Sequence, residues 1–447
     1  MSAADAAPAA TRAAPAAPPP RRGGLWRDRD FRLLWTGETA SAFGSSLTAV
    51  AVPLTAVTTL HASAMVVALL TAAAWLPWLI IGLPAGAWID RLPRRRVMLV
   101  CDAVSLVLFA SVPVAAWLGL LSAGWLLVVA LLAGTASVFF KTAYQAYLPT
   151  LVPVARLAEG NAKLQGSESV SQIAGPGAAG LLAQAFGPVN ALLADAATFL
   201  VSALCLLGIR TREEPLPPPP PDATLRRRIA EGTRFVARDP YLRVLTVFGA
   251  ASNLFLVGYQ AILVVFLIRE VGVGPGAVGG LVAATSVGGV AGALLAGPLA
   301  RRFGSARTMI GSELLGAPFG LLIPMAGPTT AGLVLAVAGG FMVVAGVVTG
   351  NIIKGGFRQA YVPRELMGRA VVSMQFVNLG TLPLGAVLGG TLAGALGLRP
   401  AMWLMTGGLA LTGLILLIGP LRRGRDLPAA PPAPVPRQPR PARGGAR

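Results

Sequence analysis

Residues 86–97 read Gly-Ala-Trp-Ile-Asp-Arg-Leu-Pro-Arg-Arg-Arg-Val, GAWIDRLPRRRV, and stand between two long apolar runs. Of the seven residues from Asp90 to Arg96, five are charged, in a chain of 447 residues that is 55% hydrophobic and only 12% charged. Soluble proteins carry roughly a quarter of their residues as charges. A cluster this dense between apolar runs marks a short turn where one apolar segment ends and the next begins. The runs are about 20 residues long, which is what an α-helix needs to cross about 30 Å of hydrocarbon. A soluble bundle would need a charged face on each helix, and a transmembrane barrel would alternate in ten-residue segments. Neither pattern is present.

Working outward from that turn, twelve spans are predicted, at 31–57, 64–88, 97–118, 123–143, 165–186, 189–209, 242–268, 278–300, 306–326, 330–352, 370–393 and 399–420. The net charge of +19 follows the same alternation. With the N-terminus in the cytoplasm, only Arg269 and Arg399 of the 37 basic residues fall on the outer side. Positive charge held inside is the rule that orients helical membrane proteins. The basic balance therefore reports topology and contact with the lipid bilayer, and implies no nucleic acid. The composition predicts a cell membrane protein with both termini cytoplasmic.

The chain divides into a disordered tail at 1–30, six helices over 31–209, a charged and proline-rich cytoplasmic linker at 210–241, six helices over 242–420 and a second tail at 421–447. The two sets of helices are related. Gly86 and Arg91 match Gly297 and Arg302, 211 positions on, and the same offset pairs Asp102 with Glu313. The string Gln145-Ala-Tyr-Leu-Pro recurs as Gln359-Ala-Tyr-Val-Pro at an offset of 214, and Gly175, Gly180 and Gly187 match Gly385, Gly390 and Gly397 at 210. The change of offset implies four extra residues in the first half near 149–153. A parallel repeat of six helices is a known transporter architecture.

The turn at 86–97 resembles the loop signature of the major facilitator superfamily, Gly-x-Leu-Ala-Asp-Arg-x-Gly-Arg-Arg. Here it reads Gly86, Asp90, Arg91, Arg94 and Arg95, with Pro93 in place of the second glycine. The copy at 297–307 keeps Gly297 and Arg302 but has Arg301 where the acid would stand. Gly175-Pro176-Gly177-Ala-Ala-Gly180 resembles the antiporter signature of drug-exporting members. The stretches 148–182 and 360–390 are similar to the macrolide-efflux and enterobactin-exporter branch. The resemblance implies an all-α membrane protein of the major facilitator fold, with 12 transmembrane helices in two pseudo-symmetric six-helix bundles acting as a monomer. It also implies secondary active transport by alternating access, in which the loops 86–97 and 297–307 act as gates. The expected cargo is an amphipathic drug. Alternatives are a dedicated exporter of a secreted metabolite such as a siderophore, an importer, and a membrane sensor that moves nothing.

No covalent chemistry is predicted. His61 stands alone in a short outer loop, and no phosphate-binding motif or Cys/His cluster is present. The protein is expected to be no enzyme, to need no cofactor or metal, and to draw on an ion gradient, protons first. Ionisable residues within a span are costly and mark functional sites. Glu38, well inside the first helix, is the first candidate for proton coupling, because burial disfavours the charged form of a carboxylate. Glu168 and Asp195 follow. Asp102 and Glu313 are expected in a charge network near the basic loops. Lys141 and Lys354 are expected to reach the cytoplasmic surface. Gln172, Asn253, Tyr259, Gln260, Gln375 and Asn378 are the polar groups expected along a mostly apolar substrate cavity.

Overall fold

The computed structural model describes residues 24–89, 91–211, 213 and 233–428. Among the described residues, 233–238 are helical and twelve longer helices follow in order: α1 (Arg29–Leu54), α2 (Ala64–Ile89), α3 (Arg94–Trp117), α4 (Ala123–Leu151), α5 (Leu157–Phe186), α6 (Pro188–Gly208), α7 (Pro240–Arg269), α8 (Pro275–Phe303), α9 (Ser305–Gly316), α10 (Thr330–Tyr361), α11 (Arg364–Leu396) and α12 (Leu398–Thr412). A π turn, Thr55–Thr59, continues α1 just past Pro53, and 3₁₀ segments continue α9 and α12. Ten of the described helices are long and apolar enough to cross a membrane. The two exceptions are α5, which carries Glu159, Lys163 and Glu168 in its first half, and α9, which tightens into 3₁₀ geometry at Ala317–Leu322 around Pro318.

Helix ends follow side-chain chemistry. Asp28 and Asp239 accept from the first amides of α1 and α7, each through one carboxylate oxygen. Such caps satisfy donors that a helix start leaves free. Gly187 and Gly397 join α5 to α6 and α11 to α12 as single-residue links at φ 85° and 93°. Only glycine enters that region without strain, so this pair of matched glycines reflects the repeat. The four extra residues of the first half lengthen α4, which ends at Leu151, four positions past Tyr147, the match of Tyr361 at the end of α10. Several helices outrun their predicted spans. α4 continues to Leu151, α10 to Tyr361, and α5 starts at Leu157. Hydropathy marks where lipid ends, whereas the helix continues into water.

Packing repeats between the halves. α1 lies on α5 and α6, α2 on α4, and α3 on α4 and α6; α7 lies on α11 and α12, α8 on α10, and α9 with its extension on α10 and α12. Across the halves, α2 packs on α11 and α5 on α8, which is the same contact under the repeat. The side where α1 begins is here the basic side, and the opposite one the far side. On the far side a single apolar core joins both halves, with Leu54, Val67 and Ala183 beside Ile262, Val265 and Met405. On the basic side the core is divided. One part gathers Phe31, Met98, Tyr147 and Leu206, and the other Phe248, Met309, Phe357 and Tyr361. The halves are therefore fused on the far side and separate on the basic side.

Small residues set the closeness of the far-side seam. A Cβ at Gly180 of α5 would lie 2.7 Å from the Cα of Gly279 in α8 and 2.9 Å from the Pro275 carbonyl. Gly390 of α11 lies against Met65 and Ala68 of α2. Glycine lets membrane helices approach at backbone distance. Gly180→Val is expected to part this seam. The check is thiol labelling of a cysteine placed at Ala283 in a Cys101→Ala, Cys205→Ala background, where the valine variant should label several-fold faster than its parent.

Candidate functional site

On the side where the apolar core is divided, several polar residues of the spans are exposed or only partly buried. Glu38 on α1 is half-buried, and its Oε2 has no hydrogen-bond partner. It is within electrostatic reach of Lys141 on α4, Asp102 on α3 and Glu168 on α5. Tyr144 lies close to both glutamates. Trp35 Nε1 and Thr39 Oγ1, on the same face of α1, are also buried without partners. Sequence reasoning passed over these two, although their spacing from Glu38 places all three side by side on a helix. Glu168 is exposed on α5 and accepts a weak bond from Gln165 at 3.4 Å.

Other candidates divide between cleft and core. Gln172, Gln260 and Gln375 are exposed. Asn253 Nδ2 donates to the Asn378 carbonyl at 3.2 Å, joining α7 to α11, and Asn378 Oδ1 is buried without a partner. Tyr259 corrects its expected place. It is 3% exposed and belongs to the far-side core, where its hydroxyl is hydrogen-bonded with the side chain of the neighbouring Gln260. Asp195 is fully buried between α6 and α1, where the hydroxyls of Thr48 and Thr198 donate to its two carboxylate oxygens. A carboxylate so provided for, at Gly44, is locked into helix packing.

The Gly-Pro segment has a clear mechanical role. A Cβ at Gly175 would collide with Ser46 of α1, and the Pro176 carbonyl faces Gly279. α5 passes through Pro176 unbroken. The segment thus seats α5 against α1 on one side and against the other half on the other.

The basic loops are held by acids that the sequence reading did not single out. Asp90 lies outside the described residues. The α3 amides of Arg94 and Arg95 donate to Glu213, beyond α6, at 2.9 and 2.7 Å. Arg95 returns two bonds to the last carbonyls of α6, Leu206 and Leu207, at 2.8 and 2.9 Å. The second half repeats the device. The Ser305 amide of α9 donates to Asp426, beyond α12, at 2.8 Å, and Ala306 and Arg307 donate to the Arg425 carbonyl. A signal was present in the sequence: Arg210-Thr-Arg-Glu213-Glu-Pro215 and Arg423-Gly-Arg425-Asp426-Leu-Pro428 share one pattern, 213 positions apart. Arg91, Arg301 and Arg302 are exposed, Gly297 is exposed, and Gly86 has open space around it. Arg94 Nε is buried without a partner.

Asp102 and Glu313 sit at matching places in α3 and α9 but have different company. Glu313, 2% exposed, pairs with Lys354 of α10 at 3.7 Å, and the ammonium lies 4.8 Å from the centre of the Phe248 ring. Lys354 therefore turns inward rather than to the surface, because a buried carboxylate and an aromatic face offer it more than a headgroup would. Asp102 is buried beside Ser202 of α6 and has no ion pair among the described residues. Lys141 stays exposed. A similar contrast links Tyr361, whose hydroxyl donates to Asp239 at 2.7 Å, and its counterpart Tyr147, whose hydroxyl is buried without a partner.

Comparison with known proteins agrees with this architecture. A family profile described as transmembrane secretion effector matches residues 25–442. The chain is 29% identical to the multidrug efflux pump Tap of Mycolicibacterium fortuitum, over 89% of this chain and 97% of that one. It is 26% identical to macrolide efflux protein A of Streptococcus pyogenes over 37% of this chain and 40% of the relative. A crystal structure of a point mutant of the nucleoside transporter NupG has the same fold at a TM-score of 0.72 and 12% identity, covering 87% of this chain and 99% of that one. A bacterial homologue of the iron transporter ferroportin, in an inward-facing state, superposes at 0.71 with 15% identity, covering 88% and 99%.

Two consequences can be measured by thermal unfolding in detergent. Glu313→Gln should cost about 3–5 kcal/mol by leaving the Lys354 ammonium unpaired, and Glu313→Gln with Lys354→Met should recover most of that loss. Glu213→Ala should cost about 1 kcal/mol through loss of the α3 cap.

Proposed function

Because the chain belongs to the transmembrane secretion effector family of major facilitator transporters, we propose that it exports amphipathic small molecules from the cytoplasm in exchange for protons. The observation that carries this reading is the division of the apolar core, shared on the far side and split on the basic side. The basic side is the cytoplasmic face of a bacterial cell membrane, by the positive-inside rule. The conformation is then inward-open, ready to take cargo from the cell. Relatives named for multidrug and macrolide efflux support the direction of transport. One chain carries both walls of the cleft, so a monomer suffices.

Export proceeds by alternating access. The halves rock so that the seam of α5 on α8 and of α2 on α11 opens on the far side while the basic side closes. Closure brings the turn at 86–97 and its copy at 297–307 toward the opposite half. Arg91 and Arg301 are exposed in the inward-open state and gain partners on closure. A contact present in one state alone biases the equilibrium between them. Arg95 is already tied within its own half and serves to hold the turn in shape.

Glu38 is the proton carrier. It lies on a cleft wall, its Oε2 lacks a partner, and the one nearby cation among the charges acting on it is Lys141. Asp195 is provided for by two hydroxyls and is a poorer choice. In an exporter-deficient bacterium, the wild-type chain should lower accumulation of antibiotics or dyes from a broad panel, and a protonophore should abolish this. Glu38→Gln should cut efflux at least tenfold, and Asp90→Asn should slow it. Undiminished export by Glu38→Gln would move the proton site to Glu168.

A further inference from the structure

The far ends of α1 and α7 are matched by the repeat and close in the same way. At the offset of 211, Leu60 donates back to the Thr55 carbonyl as Val271 does to Phe266, and Ala62 to the Ala56 carbonyl as Val273 does to Leu267. Between these bonds each turn needs one residue in the left-handed region. The second half places Gly272 there, at φ 78°, and the first half places His61, at φ 50°. A side chain costs energy in that region, although histidine enters it more readily than most residues. His61 is exposed, is the one histidine of the chain, and is the one residue other than glycine with a positive φ among the described residues.

The turn holds Ala62 from two directions. Its N–H returns to the Ala56 carbonyl at 2.9 Å, and its own carbonyl accepts from Arg269 Nη2 at 2.8 Å. The second bond runs from the end of α7 in one half to the other half. Under the repeat the reverse bond would run from Thr58 to Val273. Thr58 instead donates within its own helix, to the Leu54 carbonyl at 2.8 Å. The tie is therefore made from the second half alone. Arg399, the other basic residue of the far side, is engaged inside its own half. It donates to the carbonyls of Pro324 and Ala326 at 2.7 and 3.0 Å, and pairs with Glu270 at 3.9 Å. Basic residues are disfavoured on the outer side, and of these two it is Arg269 that reaches across.

We propose that Arg269 and the turn at His61 form a far-side latch, closed in the present state and released when the halves rock. The left-handed backbone at His61 turns the chain so that the Ala62 carbonyl meets the guanidinium. Glycine would hold that turn without strain, as it does in the second half. Histidine holds it at a cost, which is relieved when Arg269 departs and the turn relaxes. The strain opposes the close glycine contacts of the far-side seam and keeps that side able to open. A contact and a strain confined to one state both bias the equilibrium between states. This assignment rests on the alternating-access reading and adds the residues that set its far-side equilibrium.

The test is the rate at which a maleimide labels a cysteine placed at Ala68, in the purified full chain in lipid nanodiscs with Cys101→Ala and Cys205→Ala. Ala68 of α2 is fully buried against Gly390 of the other half, so its labelling follows the population in which the far side is open. Arg269→Met should speed labelling about fivefold, the value of one hydrogen bond. His61→Gly should slow it about fivefold by removing the strain. His61→Val should speed it, since a β-branched residue is an outlier in the left-handed region. A second cysteine, at Ala143 in the basic-side core of the first half, reports folding; it is fully buried and its labelling should not change. A rate within about twofold of the parent in Arg269→Met or in His61→Gly overturns the latch. So does a speed-up that the Ala143 cysteine shares. Efflux from an exporter-deficient bacterium separates the two readings. Shifted labelling with no compound of a broad panel exported removes the export reading and leaves the latch. Export with unshifted labelling does the opposite.

Discussion

Backbone contact between helices of opposite halves governs this molecule. Gly180 and Gly279 let α5 and α8 meet with no side chain between them, and Gly390 of α11 makes room for Ala68 and Met65 of α2. In hydrocarbon no hydrophobic effect drives helices together, so closeness of packing and hydrogen bonding carry the association. Both seams are concentrated toward the far side. Toward the basic side each half keeps its own core. Arg269 adds one polar tie to the seam, donating to the Ala62 carbonyl at 2.8 Å.

The halves share a plan but differ in how their polar groups are matched. In the second half Glu313 has Lys354, and Tyr361 has Asp239. In the first half Asp102 has no cationic partner among the described residues, Tyr147 has no hydrogen-bond partner, and Glu38 keeps a bare oxygen. A matched buried pair resists movement, since breaking it leaves a charge stranded. Unmatched groups are free to respond to a proton, a cargo or a new neighbour. At these matched positions the second half is the paired one and the first the unpaired one.

Much of this was legible in the residues because lipid imposes a simple rule. Spans, turns and the sidedness of charge follow from transfer costs that act on each residue alone, and the repeat offsets placed four extra residues near 149–153, where α4 runs on to Leu151. Partners across the fold were harder to read. Lys354 sits near the end of a span, where hydropathy favours the surface, yet it meets an acid from α9 that only tertiary structure brings near. Tyr259 and Gln260 are adjacent in sequence, but one enters the core and the other the cleft. Glu213 lies in a stretch whose composition marked it only as polar linker. Its role needed the matching Asp426 to be noticed. The candidate site was legible as a set of residue types, but the difference between its two walls was not.

The caps from Glu213 and Asp426 have a consequence for how the protein is made. The α3 amide of Arg94 waits for an acid 119 residues later in the chain, and the α9 amide of Ser305 for one 121 residues later. At ~5–20 residues per second of synthesis, each wait lasts about 6 to 24 seconds. During that time the third helix of the half has crossed the bilayer with its first turn unfinished. Each half is closed like a clasp, by the segment that leaves the ribosome after its sixth helix. The second clasp closes only after the twelfth helix has been made, so a segment outside the bundle decides when each half is whole.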